Sequence, residues 1–436
     1  MTSRFLFAFA AASLLLSAPA AAQLSRAEQV MVATVDAEHE RTVGLLERWV
    51  NQNSGSLNIV GVEAVAQMVR PEFEALGFKT QWIDLKSIGR AGHLVATHRG
   101  NGRGKRMLLI AHLDTVFEPH STFQRWTRRG NDGEGPGAAD DKGGIAVILA
   151  AVRAMKAAGT LKNADIVVFM TGDEEDAASP IETTRGPLIA AGKWADVALD
   201  FEGLATEEGR DMGSTARRSS DSWTVTVTAK SGHSSGIFRE GTGFGANYEL
   251  ARILDTFRRE LREDRLTYNV GLVAGGETAR LGAGSISATA TGKTNIIAPI
   301  AIARGDLRAL TPEQIERAKA KMQAIVAQSL TGAKAEIKFD EGGYPPMAPT
   351  EGNRALLTRL NAVNHDMGLP EMGELDPEKR GAGDISFVAK DVDSLAGLGP
   401  DGRGSHAPGE VVDIPSIAKQ AKRAAILMSR LARERR

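Results

Sequence analysis

The chain contains no cysteine among its 436 residues, and only 3 of them are tyrosine. Without cysteine, no disulfide bond can stabilise the fold, and any metal site must be built from histidine, aspartate and glutamate. An excess of one sign of charge is also missing, because the formal net charge is -1. Composition therefore gives no reason to expect nucleic acid or an anionic membrane as a partner. At 436 residues, of which 42% are hydrophobic, the chain is long enough to form two domains with large cores.

Long apolar segments are absent except at the N-terminus. There Arg4 precedes an apolar run from Phe5 to Ala18, and small residues follow up to Gln23. This pattern is typical of a secretory signal peptide, which we predict to span residues 1–22. The alternative is a membrane anchor, but the run is shorter than the roughly 20 residues that a spanning helix needs. We therefore expect a periplasmic or secreted bacterial protein that has no membrane segment after cleavage.

The first half of the mature chain alternates between short β-rich runs and helical patterns. "HLVATH", "MLLIAHL" and "ADIVVFMTG" are predicted strands, and the apolar segment "DKGGIAVILAAVRAMKAAG" between the last two is predicted to be a helix. A strand, a helix and a further strand in this order predict a mostly parallel sheet with helices on its faces. We assign this α/β catalytic domain to residues 23–218, with a second part in residues 341–436.

A different pattern fills the segment between these two parts. Predicted strands and helices in residues 219–340 follow the order β-α-β-β-α-β, and a further short strand is predicted at "GSISATATG". This order is typical of an open-faced, ferredoxin-like α+β domain. We therefore predict that such a domain is inserted into the α/β domain and that the chain returns to the α/β domain near Tyr344.

A histidine and an aspartate follow the apolar residues of the predicted strand "MLLIAHLDTV". Residues two apart in a strand point to the same side, so His112 and Asp114 are expected to lie together. Taken alone, the pair could equally be a core histidine with a polar neighbour. Further along the chain, other apolar runs are also followed by residues that can bind metal ions or transfer protons.

Acidic residues follow several other apolar runs, and a second histidine lies in a glycine-rich segment. Asp140 in "GPGAADDKGG" could cap the following helix, and the carboxylates of "GDEED" could form a solvated loop. Chance does not readily explain why histidine, aspartate or glutamate follows one predicted strand after another. The carboxyl ends of parallel strands lie at one edge of the sheet, so these side chains are expected to be close together. Imidazoles and carboxylates without thiols suit one or two divalent ions such as zinc. The candidate ligands and the candidate general base beside them are His112, Asp140, Glu174, Glu175, Glu202 and His406.

Seven motifs in this chain resemble those of one known family, both in their amino-acid sequences and in their order along the chain. They are "AHLDTV", "GAADDKGG", "TGDEE", "DFEG", "SGHSSG", "TNIIAP" and "GSHAPGE". The family is the metallopeptidase family that contains carboxypeptidase G, acetylornithine deacetylase, succinyl-diaminopimelate desuccinylase and aminoacylase. The resemblance extends over about residues 30 to 430 and is nearest to the carboxypeptidase G branch.

The resemblance implies two zinc ions, with cobalt or manganese as substitutes. His112, Asp140 and Glu202 would hold one ion, while Asp140, Glu175 and His406 would hold the other, so that Asp140 bridges both. The general base would be Glu174. The role implied for Asp114 is to orient the ring of His112.

The resemblance also implies that the inserted domain is a lid and a dimerisation domain. His233 of "SGHSSG" would reach the active site of the partner subunit in a homodimer, and Asn295 and Arg308 would bind the carboxylate of the substrate. Without the resemblance, His233 could simply cap a turn. Arg308 could instead pair with Asp306 or Glu341.

The activity implied is hydrolysis of an amide bond, with release of a C-terminal amino acid from small peptides or N-acyl amino acids. Glutamate is one candidate, but this chain has "GGYPPM" where carboxypeptidase G relatives commonly carry "GRP". An N-acyl-amino-acid deacylase and an aminopeptidase are the alternatives within the family. A binding protein without catalysis is disfavoured because no ligand or base is missing. Arg217 and Arg218 could be hinge residues or substrate contacts.

Overall fold

The computed structural model of the protein describes residues 24–436. The predicted signal peptide, residues 1–22, lies outside this range. Among the described residues, no helix combines the length and the apolar character needed to cross a membrane.

The described chain has nine α-helices. Several begin with a side-chain cap, such as α7, where the Thr311 hydroxyl accepts a hydrogen bond from the backbone N–H of Gln314. The helices are α1 (Arg26–Ala37), α2 (His39–Val50), α3 (Ile59–Glu74), α4 (Lys142–Ala157), α5 (Ile181–Trp194), α6 (Gly245–Glu260), α7 (Pro312–Ala327), α8 (Glu351–Asp366) and α9 (Ile414–Leu431).

The strands of the described chain are mostly short. In chain order they are β1 (Lys79–Asp84), β2 (Gly92–His98), β3 (Arg106–His112), β4 (Thr127–Arg129), β5 (Asp132–Glu134), β6 (Asp165–Thr171), β7 (Val197–Asp200), β8 (Ala205–Glu207), β9 (Arg210–Gly213), β10 (Asp221–Ala229), β11 (Gly232–His233), β12 (Thr267–Gly276), β13 (Thr278–Leu281), β14 (Ala288–Thr291), β15 (Ile296–Ile297), β16 (Ile300–Arg308), β17 (Ala333–Phe339), β18 (Gly373–Glu374), β19 (Ser394–Leu395), β20 (Gly402–Arg403) and β21 (Val411–Asp413).

The largest sheet has six strands in the order β1-β2-β6-β3-β7-β19. The four strands from β6 to β19 are parallel, whereas β2 pairs antiparallel with β6 and β1 antiparallel with β2. Strand β3 lies inside the sheet, and every residue from Met107 to His112 is buried. A strand buried on both faces needs a continuous apolar run, which is what "MLLIA" supplies. The predicted mostly parallel sheet is confirmed.

Helices cover both faces of this sheet. On one face, Met107 and Leu109 of β3 belong to a core that also contains α1, α4 and α9. On the other face, Leu108 and Ile110 pack in a second core with Leu188 of α5. Helix α4 is buried almost all round because it lies between the sheet and α9.

The inserted segment forms a four-stranded antiparallel sheet in the order β12-β16-β10-β17, with α6 and α7 packed against it. In chain order this is β-α-β-β-α-β with the edge strands second and fourth, which confirms the ferredoxin-like fold. Alternate residues Trp223, Val225 and Val227 of β10 are buried against the helices. This core lies within the predicted limits of residues 219 and 340, which stay a prediction.

The segment "GSISATATG" does not join the four-stranded sheet. Only its second half is a strand, β14, which pairs with β13 in a two-stranded hairpin. Its residues are mostly exposed, so the segment lacks the buried face that would fix it in a larger sheet.

Two antiparallel chain segments connect the inserted domain to the α/β domain. We call residues 217–222 and 340–347 together the crossing ribbon. Ser220 and Tyr344 each donate a backbone N–H to the other's carbonyl oxygen at 3.0 Å. Arg217 and Met347 do the same at 2.9 Å. The chain therefore leaves and re-enters the α/β domain through one hydrogen-bonded pair of segments.

The core of the inserted domain depends on Trp223, which is fully buried. Its ring meets that of Phe257 edge-on at 5.7 Å, and its indole N–H donates to the carbonyl of Asp306 at 3.0 Å. We expect Trp223→Ala to lower the free energy of unfolding of this domain by about 3–5 kcal/mol, because it leaves a large cavity.

Chemical denaturation followed by circular dichroism measures this change. The matched control is Thr226→Ala, which lies on the same strand but on the opposite face and should cost no more than about 1 kcal/mol. Equal effects of the two variants would contradict the assignment of Trp223 to the core.

Candidate metal centre

The predicted ligands collect at one edge of the six-stranded sheet. His112 is the last residue of β3, Glu174 and Glu175 follow the end of β6, and Glu202 follows the end of β7. These three strands are parallel neighbours, so their carboxyl ends meet at the same edge. The sheet therefore places side chains from distant parts of the sequence within reach of each other.

Asp140 lies between two imidazole rings. Its Oδ1 is 3.1 Å from Nε2 of His112, and its Oδ2 is 3.2 Å from Nε2 of His406. The same nitrogen of His406 is 3.2 Å from Oε2 of Glu175. Ligand atoms of His112, Asp140 and Glu175 all lie within 4.8 Å of one another. Four of the five predicted ligands are thus brought together, and Asp140 has the position of a bridge.

Glu202, the fifth predicted ligand, lines the same cavity as Asp140 but is held by arginines. Its Oε2 is 2.7 Å from Nη2 of Arg217 and 3.4 Å from Nη2 of Arg380. Arg217 also pairs with Asp200 at 3.0 Å, so one buried guanidinium holds both acids that follow the apolar run of β7. The structure therefore places Glu202 on the wall of the site with two arginines, and Arg217 is a contact of that acid.

Asp114 is fully buried behind His112 and joins two strand ends. Its carboxylate accepts hydrogen bonds from the backbone N–H groups of Glu174 and Glu175 and from the hydroxyl of Ser56, at 3.0, 3.1 and 2.6 Å. Nδ1 of His112 is 3.1 Å from the backbone oxygen of Asp114 and 3.4 Å from its carboxylate. The backbone carbonyl is thus the nearer partner of the ring.

The loop before α4, which carries Asp140, is held by the buried side chain of Glu410. The sequence pattern did not assign a role to this residue. Glu410 accepts hydrogen bonds from the backbone N–H groups of Gly137, Ala139 and Asp140 at 3.1, 2.8 and 3.0 Å. Burial and the charge of Asp140 raise the pKa of Glu410 to about 7. The only sequence signal was its place four residues after His406. Asp141, the neighbour of Asp140, does not cap α4 with its side chain.

A cavity of about 320 Å³ opens at this edge of the sheet. Acids, a histidine and cations share its wall. Both this lining and the volume of the cavity suit a small polar ligand. The charged residues among those that line it are Asp140, Glu174, Glu202, Arg217, Lys379, Arg380 and His406.

The charges of the site influence one another strongly. Burial alone would raise the pKa of Asp140, but hydrogen bonds from His112 and His406 outweigh it and lower that pKa below its usual range. Burial and the nearby charge of Glu202 raise the pKa of Glu174 well above its usual range. Asp140 is therefore kept ionised, which suits a ligand, while the carboxylate of Glu174 binds a proton more tightly than an exposed glutamate does, which suits a group that takes up and returns a proton.

The donor set fits divalent metal ions. Two imidazoles and several carboxylates, without any thiol, are ligands that zinc accepts. In the metal-free protein, protons on the two histidines take the place of cations. Hydrogen bonds to Asp140 and Glu175 raise the pKa of His406 to about 11. Burial opposes a charge on His112, but Asp114 and Asp140 hold its pKa well above the usual range.

The residues predicted on the inserted domain are not all together. His233 of β11 pairs with β15, and the backbone oxygen of Asn295 accepts a hydrogen bond from the N–H of Ser234 at 2.9 Å, so His233 and Asn295 are neighbours. His233 is exposed, and its Nδ1 contacts the hydroxyl of Ser235 at 2.9 Å. Within the described chain, no hydrogen bond joins His233 to the predicted metal ligands.

Arg308 lies at the opposite end of β16 from this pair. Strand β16 runs from Ile300 to Arg308, and eight steps of about 3.3 Å give a separation of roughly 26 Å along it. Nε of Arg308 pairs with Oδ2 of Asp306 at 3.0 Å, one of the alternatives raised from the sequence. Asn295 and Arg308 of one chain therefore do not lie close enough to bind the same small carboxylate.

A buried polar network lies behind Glu174 and was not predicted. Arg185 is fully buried and pairs with Asp173 at 2.5 Å and with Asp384 at 2.7 Å. Its Nη2 also donates to the hydroxyl of Tyr344 at 3.0 Å. No spacing in the sequence signals these partners, because they lie on segments that meet only in the folded chain.

Comparisons with known proteins identify a family that this chain matches. The model of Peptidase family M20/M25/M40 matches residues 108–430. Carboxypeptidase G2 from Pseudomonas sp. (strain RS-16) is 28% identical over 410 residues, which cover 92% of each chain. The resemblance inferred from the seven motifs is confirmed.

Solved structures share the fold. A tripeptidase from Staphylococcus aureus superposes with a TM-score of 0.71 at 19% identity, covering 91% of this chain and 99% of that one. The YXEP protein of Bacillus subtilis, described as a dinuclear metal binding peptidase, gives a TM-score of 0.60 at 15% identity, covering 90% and 98%. At these identities the likeness establishes the fold alone.

Metal binding should displace protons. Both histidines have raised pKa values in the metal-free protein and are therefore charged at neutral pH, whereas a metal ligand must be neutral. We expect zinc affinity to rise with pH between pH 6 and 8, by up to about a hundredfold per pH unit if two protons leave.

Calorimetry in buffers of different ionisation enthalpy counts the released protons. His406→Ala should lower the count by about one, while His365→Ala, which removes an exposed histidine away from the site, should leave it unchanged. Zinc binding that releases no proton at neutral pH would contradict the assigned ligands.

Proposed function

Because the chain belongs to Peptidase family M20/M25/M40, whose members are metal-dependent hydrolases, we propose that it is a dinuclear zinc carboxypeptidase. Its substrates are small peptides or N-acyl amino acids, from which it releases the C-terminal residue. The observation that carries the proposal is the position of Asp140 between His112 and His406, with Glu175 beside it.

The ligands of the two ions are the predicted ones. His112, Asp140 and Glu202 would hold one ion, and Asp140, Glu175 and His406 the other. Although burial opposes a charge on Glu202, Arg217 and Arg380 lower its pKa, so this acid is ionised and available as a ligand. Bound divalent ions supply two kinds of chemistry, because they acidify water and polarise a carbonyl group. Cobalt or manganese could replace zinc in the same ligand set.

Glu174 is the proposed general base. It lines the cavity, and its raised pKa makes its carboxylate a better proton acceptor than an exposed glutamate. In the proposed reaction Glu174 takes a proton from the attacking water and then donates it to the leaving nitrogen. The buried carboxylate of Asp114 supports this role, since it holds the backbone N–H groups of Glu174 and Glu175.

The cations on the cavity wall favour a substrate that carries a carboxylate. Lys379 and Arg380 line the cavity beside Arg217, whose guanidinium is already paired with Asp200 and Glu202. A cluster of cations suits a free C-terminus better than a free α-amino group, which supports a carboxypeptidase over an aminopeptidase. An N-acyl-amino-acid deacylase would present the same carboxylate and is the second candidate. Glutamate is one candidate for the released residue.

A homodimer is the proposed assembly. β12 is an edge strand of the inserted sheet, and large apolar side chains on this domain are exposed, including Phe238 at 56%, Val273 at 56% and Ile286 at 89%. Exposed apolar side chains and an open strand edge on one domain are typical of an interface. His233 would then act on the partner's substrate as an oxyanion donor. The N-terminal sequence supports export to the periplasm or beyond the cell.

A substrate panel tests the activity. Zinc-loaded protein is incubated with dipeptides, N-acyl amino acids and glutamate conjugates, each with a free or an amidated C-terminus, and the released amino acid is measured. We expect release only from the free carboxylates. Glu174→Ala should lower kcat by about a hundredfold to ten-thousandfold, because it removes the base.

The control for this variant is Glu208→Ala, which removes an exposed glutamate outside the cavity and should retain full activity. Release by the wild type from substrates with a free amino group, irrespective of the C-terminus, would instead identify an aminopeptidase. If the zinc-loaded wild type releases no amino acid from any substrate of the panel, the proposal is refuted.

Mixing two inactive variants tests the role of the partner subunit. In a dimer formed from Glu174→Ala and His233→Ala chains, one site combines an intact Glu174 with an intact His233 of the partner subunit. We expect the mixture to recover up to about a quarter of the wild-type sites after subunit exchange. Each variant alone should stay inactive, and a mixture as inactive as its components would contradict action across the dimer.

A further inference from the structure

The backbone of Glu174 is held from both sides. Its N–H donates to Oδ1 of Asp114 at 3.0 Å, and its carbonyl oxygen accepts a hydrogen bond from the hydroxyl of Tyr344 at 2.8 Å. The contact with Asp114 belongs to the metal site, but Tyr344 does not line the cavity. Tyr344 therefore contacts the proposed base from behind, on the side away from any substrate.

The hydroxyl of Tyr344 has one possible arrangement of hydrogen bonds. Nη2 of Arg185 donates to it at 3.0 Å, and a guanidinium can only donate. The oxygen therefore accepts from Arg185, and the proton of the hydroxyl is left to be donated to the carbonyl of Glu174. The ring is fixed as well, because it meets Phe387 edge-on at 4.9 Å. A rigid side chain thus reaches the base from an anchored position.

Tyr344 is at the same time part of the crossing ribbon. Its backbone N–H and carbonyl both bond to Ser220 at 3.0 Å, where the chain leaves for the inserted domain. One residue therefore touches the base with its side chain and the connection between the domains with its backbone. A displacement of the ribbon moves the ring and with it the carbonyl of Glu174.

We propose that Tyr344 is a positioning residue that fixes the backbone of Glu174 and links it to the crossing ribbon, so that the position of the inserted domain sets the position of the base. This inference rests on the proposed function only in giving Glu174 the role of base. The tyrosine occurs in "GGYPPM", the segment in which this chain departs from its carboxypeptidase G relatives.

The proposal predicts different effects on the two kinetic constants, kcat and KM. The reacting groups of a hydrolase must be held to within a fraction of an ångström, so a loosened base slows the chemical step. Substrate binding depends on the cavity wall, which Tyr344 does not form. Loss of the tyrosine hydroxyl should therefore lower kcat and leave KM nearly unchanged.

Tyr344→Phe is the direct test, because it removes only the hydroxyl. We expect kcat to fall about tenfold, with KM within about twofold and the zinc content unchanged. The matched control is Tyr268→Phe, which removes a hydroxyl that donates to the carbonyl of Arg258 at 3.4 Å on the surface of the inserted domain. That control should keep wild-type kcat.

Hydrogen exchange gives a second measurement that needs no substrate. In Tyr344→Phe, the segment 172–178 should exchange its amide hydrogens faster than in the wild type, because one anchor of the loop is lost. Thermal unfolding recorded beside it shows whether the variant is folded. A variant with wild-type kcat and wild-type exchange in this segment would overturn the role of Tyr344.

Gly343→Ala tests the link to the ribbon without touching Glu174. The added methyl carbon would lie 3.0 Å from the Ser220 carbonyl oxygen and 2.9 Å from Oδ1 of Asp221, so the ribbon must shift. We expect a smaller fall in kcat with KM unchanged and faster exchange in segment 172–178. Unchanged kcat and exchange in Gly343→Ala would overturn the link. If the wild type hydrolyses nothing, the proposed function fails, while the exchange measurements still decide the contact.

Discussion

The carboxylate of Asp140 is the constraint on which the rest of the site depends. It is placed between imidazoles from two distant segments, and a partly buried charge is stable there only if other groups compensate it. His112 and His406 do so in the metal-free protein, and divalent ions would do so in the loaded one. Glu410 fixes the position by binding the backbone N–H of Asp140 and of the residue before it. The loop is therefore specified by contacts on both sides of one residue.

Many acidic side chains meet at this edge of the sheet, and buried arginines neutralise several of them. Arg217 pairs with Asp200 and Glu202, and Arg185 pairs with Asp173 and Asp384. Arginine suits this task because it stays charged when buried, whereas a lysine could lose its proton. The two guanidiniums let the sheet present many carboxylates to one cavity without repelling its own strands.

Three of the predicted ligands share one sequence signal, because His112, Glu175 and Glu202 each come soon after an apolar run. A strand that is buried on both faces is visible as such a run, and parallel strands end at one edge, so His112, Glu175 and Glu202 could be expected together before any coordinates. Partners such as Arg185 and Glu410 could not be predicted. Their contacts join segments far apart in the chain, and no local pattern reports which buried acid a given arginine will meet.

The arrangement of the inserted domain shows the same limit. Its strands and helices follow periodic patterns, so its fold could be predicted. The separation of Asn295 from Arg308 arises because Asn295 precedes the start of β16 and Arg308 is its last residue, which a list of motifs does not reveal. The pairing of Arg308 with Asp306 was one of several alternatives until the structure placed the two side chains together.

The interruption of the α/β domain also determines the order in which the chain can fold. The inserted domain is continuous in sequence, so it can form its core as soon as β17 is available. The α/β core needs α8, β19 and α9, and α9 packs against α4 from a distance of more than half the chain. Contacts of such long sequence separation are slow to form, because a long loop must close first. The predicted ligands before the insertion can therefore meet His406 only after the segment that follows the insertion has docked.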